Sequence, residues 1–156
     1  MASEHFPAGR QGWRIFLDTN VLIAGLSSRT GASACLLDLG DAEEVDLVLS
    51  RYVLVELDRV IAEKFPHLTE RYDAFLKEFC FELQAEPSIS RIREAAAIID
   101  LGDAPILAAA KLAQVDYLVT LDIRHFHTPR VRAYLPIPIL TPAAFLTVFR
   151  NFLENL

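Results

Sequence analysis

The chain alternates short β-prone apolar runs with longer stretches of helical spacing. Trp13–Leu17 is a compact apolar run that ends in Asp18-Thr19-Asn20. Asn20–Leu26 then suits a short helix, Ser27–Gly31 a break, and Ala32–Gly40 a second helix closed by its glycine. Asp46–Leu49 predicts a strand, and Ser50 is placed to cap a helix over Arg51–Phe65, where Val53, Leu57, Val60, Ile61 and Phe65 recur at helical spacing. Pro66 stops that helix. Thr69–Phe81 carries Tyr72, Phe75, Leu76 and Phe79 on one helical face, followed by a short strand at Leu83–Ala85 and a helix over Ser90–Ile99. A strongly apolar helix runs from Asp103 to Ala113. Tyr117–Leu121 and Pro138–Leu140 predict two more strands, and Pro142–Leu153 predicts a closing helix with proline in its first turn.

Strands alternating with helices imply an α/β fold, a three-layer α/β/α sandwich whose central sheet is mostly parallel and covered on both faces. In such sheets ligands bind beyond the carboxyl ends of the strands, where the strand order reverses. Asp18 and Asp122 follow two of the predicted strands directly. The length of 156 residues, 53% of them hydrophobic, suits a single domain, expected over residues 13–156 behind a disordered tail over 1–12. No apolar run approaches the ~18–20 residues needed to span a bilayer. Cys35 and Cys80 lie far apart without a paired motif, which suits free thiols packed in the core of a cytoplasmic protein. The net charge is −6, from 15 Lys+Arg against 21 Asp+Glu. That balance argues against gripping nucleic acid through bulk positive charge, but not against a protein that takes up cations first.

The chemistry therefore turns on particular acids. Asp18 and Asp103 each stand where a helix begins, and each has an ordinary reading as an N-cap. Asp122 ends a buried-looking strand, where it could open a loop. Glu56 lies three residues after Val53 and four before Val60, at the edge of an apolar stripe. A carboxylate there is costly unless it reaches solvent, a partner or a cation. Together these acids stand at the element ends that a doubly wound chain brings into one place. Converging carboxylates repel unless some bind protons or a divalent ion intervenes. Oxygen donors favour Mg²⁺ or Mn²⁺ over zinc.

At these residues the chain resembles the PIN domains of VapC-like toxins. The matching pieces are FLDTNVLIAGL (Phe16–Leu26), LVLSRYVLVELDRVI (Leu47–Ile61), GDAPILAAAKLAQVDYLVTLD (Gly102–Asp122) and PILTPAAFL (Pro138–Leu146), in family order. The resemblance implies a metal-dependent endoribonuclease, the toxin of a toxin–antitoxin pair, using Mg²⁺ or Mn²⁺. Its acids fall on Asp18, Glu56, Asp103 and Asp122, read as catalytic metal ligands, with Thr19, Asn20 and Ser50 as supporting polar groups. It also implies an antitoxin whose tail blocks the acidic groove. The helices over Ala32–Leu39 and Thr69–Phe81 offer surface for that partner or for a homodimer, or else belong to the core. Where relatives often have a further acid, this chain has His125, and Asp100 is an acid that could compensate.

The stretch Ile123–Tyr134 carries Arg124, Arg130 and Arg132 with His125 and His127 and no carboxylate. The arginines could meet RNA phosphates, and Phe126 and Tyr134 could stack on bases; the plainer reading is a solvated loop that balances nearby acids. His125/His127 alone make a weak zinc motif. No G-x-S-x-G elbow is present, and an aspartyl-phosphate mechanism would want a second Asp where Asn20 stands. The alternative to an enzyme is a non-catalytic PIN-like module that binds RNA or protein.

Overall fold

The structure is a computed structural model that describes residues 12–156. The expected tail lies outside the described residues except for Gly12, a buried bend that leads into Trp13. The Trp13 indole packs against Tyr117, Phe145, Phe149 and Phe152.

Five parallel strands form one sheet in the order β3-β2-β1-β4-β5: β1 (Arg14–Leu17), β2 (Asp46–Ser50), β3 (Glu82–Gln84), β4 (Tyr117–Val119) and β5 (Ile139–Leu140). Residues 15–17, 47–49 and 117–119 are buried without alternation, as strands covered on both faces must be. The chain moves outward from β1 to β2 to β3, then returns across the sheet to β4 and β5. Right-handed crossovers therefore carry the outward connections over one face and the returning ones over the other.

The outward connections are α1 (Thr19–Ser27), α2 (Ala32–Asp41), α3 (Arg51–Lys64) and α4 (Thr69–Glu78); the returning ones are α5 (Ile89–Ala96), α6 (Ala104–Ala113), α7 (Ile123–Phe126) and α8 (Pro129–Tyr134). The closing helix α9 (Pro142–Glu154) packs beside α2. The reversal of strand order puts a crevice between the carboxyl ends of β1 and β4, flanked by the start of α6.

Several boundaries differ from the expected ones, each for a local reason. The fourth helix ends at Glu78 rather than Phe81, because Phe79 and Phe81 fold back onto Phe75, with Phe81 stacked at 5.5 Å. The strand at Glu82–Gln84 starts one residue early, set by its pairing with Val48–Ser50. Ser88 caps α5 through a bond from Arg91 N, so that helix begins before Ser90. Ile123–Tyr134 is two short helices rather than one loop, because Thr128 caps the second and Phe126 and Val131 turn into the core. Both cysteines are free and exposed, not packed inside: α2 turns Ala34, Leu36 and Leu37 inward, which leaves Cys35 on its outer face.

Candidate active site

Asp18 sits one residue beyond the last paired position of β1. The register Phe16↔Leu118 and Leu17↔Val119 continues to bring Asp18 beside Thr120. The Thr120 hydroxyl donates to Asp18 Oδ2 at 2.9 Å, and Thr19 N donates to Oδ1 at 2.7 Å. Asp18 does cap α1, but with one oxygen only. Only 7% exposed and bonded by two neutral donors, its carboxyl is raised from the usual 3.8 to about 6. Burial is the chief cause; the two hydrogen bonds oppose it, and the charges of Asp103 and Glu56 reinforce it.

The other acids join through shared polar partners. Thr19 Oγ1 donates to Glu56 Oε2 at 3.2 Å, which ties α1 to α3. Ser50, fully buried, caps α3 by accepting from Val53 N at 3.2 Å, so it fixes where the helix carrying Glu56 begins. Asn20 Oδ1 accepts from Leu121 N at 3.1 Å, and Thr120 Oγ1 accepts from Asp122 N at 3.0 Å. The turn bearing Asp122 is thus pinned from both sides.

Asp103 holds the N-cap position of α6 without making a side-chain cap bond. Its Oδ2 lies 3.2 Å from His125 Nδ1, and Asp122 Oδ2 lies 2.8 Å from the same nitrogen. Burial raises the Asp103 carboxyl, His125 opposes the rise, and the charges of Asp122 and Asp100 add to it. The half-exposed imidazole is raised in turn, first by its bond to Asp103 and then by the charge of Asp122. Asp100 is an exposed residue whose carbonyl accepts from Asp103 N and Ala104 N.

The crevice therefore gathers Asp18, Glu56, Asp103 and Asp122 through Thr19, Thr120 and His125. Thr120 and Tyr52 are additions that sequence reasoning missed. Tyr52 lies one helical turn before Glu56, its hydroxyl donates to the Gly102 carbonyl at 3.5 Å, and burial followed by the charge of Glu56 raises its phenol. Each had a signal: Thr120 continues a buried strand beside Asp18, and Tyr52 shares the face of Glu56.

The basic stretch is less uniform than its composition suggested. Arg124, Arg130 and Arg132 are exposed, and Arg132 also donates to the His127 carbonyl at 3.4 Å. Phe126 is fully buried and cannot stack on a base. The Tyr134 ring is covered by Lys111 Nζ, 3.8 Å from its centroid. His127 Nε2 engages the Ile139 carbonyl at 2.8 Å, so the two histidines diverge.

A profile of the PIN domain matches residues 14–124, a segment holding all four of the linked acids. The chain belongs to the PIN domain family. Solved structures of similar fold include VapBC2 from Rickettsia felis bound to a promoter DNA fragment, at TM-score 0.62 and 20% identity over 81% of this chain and 98% of that one. A toxin–antitoxin complex from Klebsiella pneumoniae aligns at TM-score 0.55 and 23% identity, over 82% and 97%. PAE2754 from Pyrobaculum aerophilum aligns at TM-score 0.61 and 12% identity, over 96% and 99%. No curated protein sequence gives a significant match. Within this PIN domain the site's donors are carboxylates plus one imidazole, and a bound positive charge would offset the burial that chiefly raises Asp18 and Asp103 and the acid–acid repulsion that adds to it. The residues present fit a divalent cation.

Asp18 also yields a stability prediction for the metal-free protein. The folded chain holds the Asp18 proton more tightly than the unfolded chain does. The corresponding stability is complete below pH 3.8 and is lost as pH rises through about 6. The ionised form costs about 3 kcal/mol at most. In EDTA, Asp18→Asn should be more stable than the parent at pH 8 by about 1–3 kcal/mol, with the gain shrinking towards pH 4. Urea denaturation across that range measures it, and an equal effect at both ends would contradict the assignment.

Proposed function

We propose that this PIN domain is a metal-dependent endoribonuclease, the toxin of a toxin–antitoxin pair acting in the cytoplasm on RNA. The observation that carries the reading is the linkage of Asp18, Glu56, Asp103 and Asp122 at the switch point of the sheet. Asp18, Asp103 and Asp122 would hold Mg²⁺ or Mn²⁺, and Glu56 would either join them or orient the attacking water. A bound ion supplies two things here: it acidifies water and neutralises charge developing on the scissile phosphate. Thr19 and Thr120 hold two of the acids in orientation, Asn20 fixes the turn of Asp122, and Ser50 sets the register of Glu56. Arg124, Arg130 and Arg132 lie next in sequence to Asp122 and supply positive charge for flanking phosphates.

The partner half of the reading draws on two structural neighbours that are toxin–antitoxin proteins. An antitoxin that covers the acidic crevice is proposed on that basis, and a homodimer of the toxin on the helices α2 and α4, which offer surface to either partner. Among the described residues no helix is long and apolar enough to cross a membrane.

The decisive experiment incubates purified protein with mixed tRNA and mRNA, with and without Mn²⁺, beside Asp103→Asn. Cleavage should require the ion, and the variant should lose at least about a hundredfold in rate, as expected when charge stabilisation at a scissile phosphate fails. Cleavage that survives EDTA would overturn the metal mechanism. Charge reversal at Arg130 and Arg132 should weaken RNA affinity and flatten its salt dependence by about one in log–log slope per lost phosphate contact. An unchanged slope would remove the arginines from the interface.

A further inference from the structure

We infer that His125 Nδ1 is itself a ligand of the cation held at Asp103, together with the carboxylates of Asp100 and Asp103. This mixed nitrogen–oxygen site selects a first-row transition ion such as Mn²⁺ over Mg²⁺. The inference rests on the metal-dependent reading above and specifies which ion the site takes.

The spacing of the donor atoms carries the argument. One ligand atom from each of Asp100, Asp103 and His125 lies within 4.8 Å of the others. Around an octahedral ion with bonds of about 2.1 Å, neighbouring ligand atoms lie about 3.0 Å apart and opposed ones about 4.2 Å apart. His125 Nδ1 is 3.2 Å from Asp103 Oδ2, close to the shorter of these separations. An ion can replace the proton on Nδ1, releasing it to solvent, with little movement of the groups around it.

The surrounding backbone holds this arrangement. Asp103 N and Ala104 N both bond the Asp100 carbonyl, which closes the turn joining the two acids. His125 N bonds the Asp122 carbonyl at 3.3 Å, and the buried Phe126 anchors the same short helix to the core. The imidazole is left half-exposed beside the acids, whereas His127 is committed to the Ile139 carbonyl.

The choice of ion follows from the donor set. Mg²⁺ is a hard ion that keeps water and oxygen ligands and gains little from imidazole. Transition ions accept an imidazole nitrogen readily, so one such donor shifts the preference towards them.

The test uses the full chain loaded with Mn²⁺ alone and read by pulsed electron paramagnetic resonance. The wild type should show ¹⁴N modulation from a coordinated imidazole. His125→Asp, which restores an oxygen donor at an exposed position, should still bind Mn²⁺ but lose that modulation. The Mg²⁺ concentration needed to displace half the Mn²⁺ should fall by about tenfold or more in this variant. Modulation that persists in His125→Asp would assign the nitrogen to another histidine and overturn the inference. Mn²⁺ bound to the wild type without modulation would overturn it too, while leaving the metal-dependent nuclease reading intact. Failure of the wild type to bind Mn²⁺ would overturn both.

Discussion

The hydrogen bond from Thr120 to Asp18 spans the point where the sheet reverses its strand order, and the site depends on it. Parallel pairing of β1 with β4 brings the two residues level just beyond the last ladder bonds. The hydroxyl then does two things, donating to the buried carboxylate and accepting from Asp122 N. One small side chain thereby couples the acid at the end of β1 to the acid that follows β4. Because both donors to Asp18 are neutral, the charge it carries near neutral pH is solvated but not balanced. The fold holds this ionised group at a cost in stability, the usual sign of a group kept for binding or chemistry.

The rest of the constellation is arranged around that charge. Thr19 bonds Glu56 from the residue next to Asp18, and His125 bridges the carboxylates of Asp103 and Asp122. The overall charge of −6 consequently says little about nucleic acid. Several of the acids are concentrated where a cation would bind, and exposed arginines stand on the segment that follows Asp122. With a divalent ion bound, the local potential facing a phosphate becomes less negative, although the complex as a whole stays net acidic.

Much of this was legible in the sequence, because strand ends and helix starts are set by local chemistry. The apolar runs at 15–17, 47–49 and 117–119 located the three central strands, and Ser50 and Pro142 marked helix starts that the structure shares. The acids at those ends were legible for the same reason. What was hidden depends on tertiary contact. Thr120 becomes a site residue only once β1 and β4 are paired in register, and Tyr52 only once α3 lies against the turn at Gly102. The aromatic residues beyond Asp122 misled because composition cannot tell a short helix with a buried Phe126 from an open loop. The two cysteines misled likewise, since each falls on the outer side of its segment.

The central claim is that the acids at the switch point form a cation site held ready by the fold. The most direct test is thermal denaturation at pH 8 with increasing Mn²⁺, comparing the parent with Asp18→Asn/Asp103→Asn. An ion that binds only the folded chain stabilises it by about 2.7 kcal/mol at a hundredfold excess over its dissociation constant. For a domain of this size that raises the midpoint by roughly 5–10 °C. The account predicts this rise in the parent and little or none in the double variant. An unresponsive parent, or an equal rise in both proteins, would contradict it.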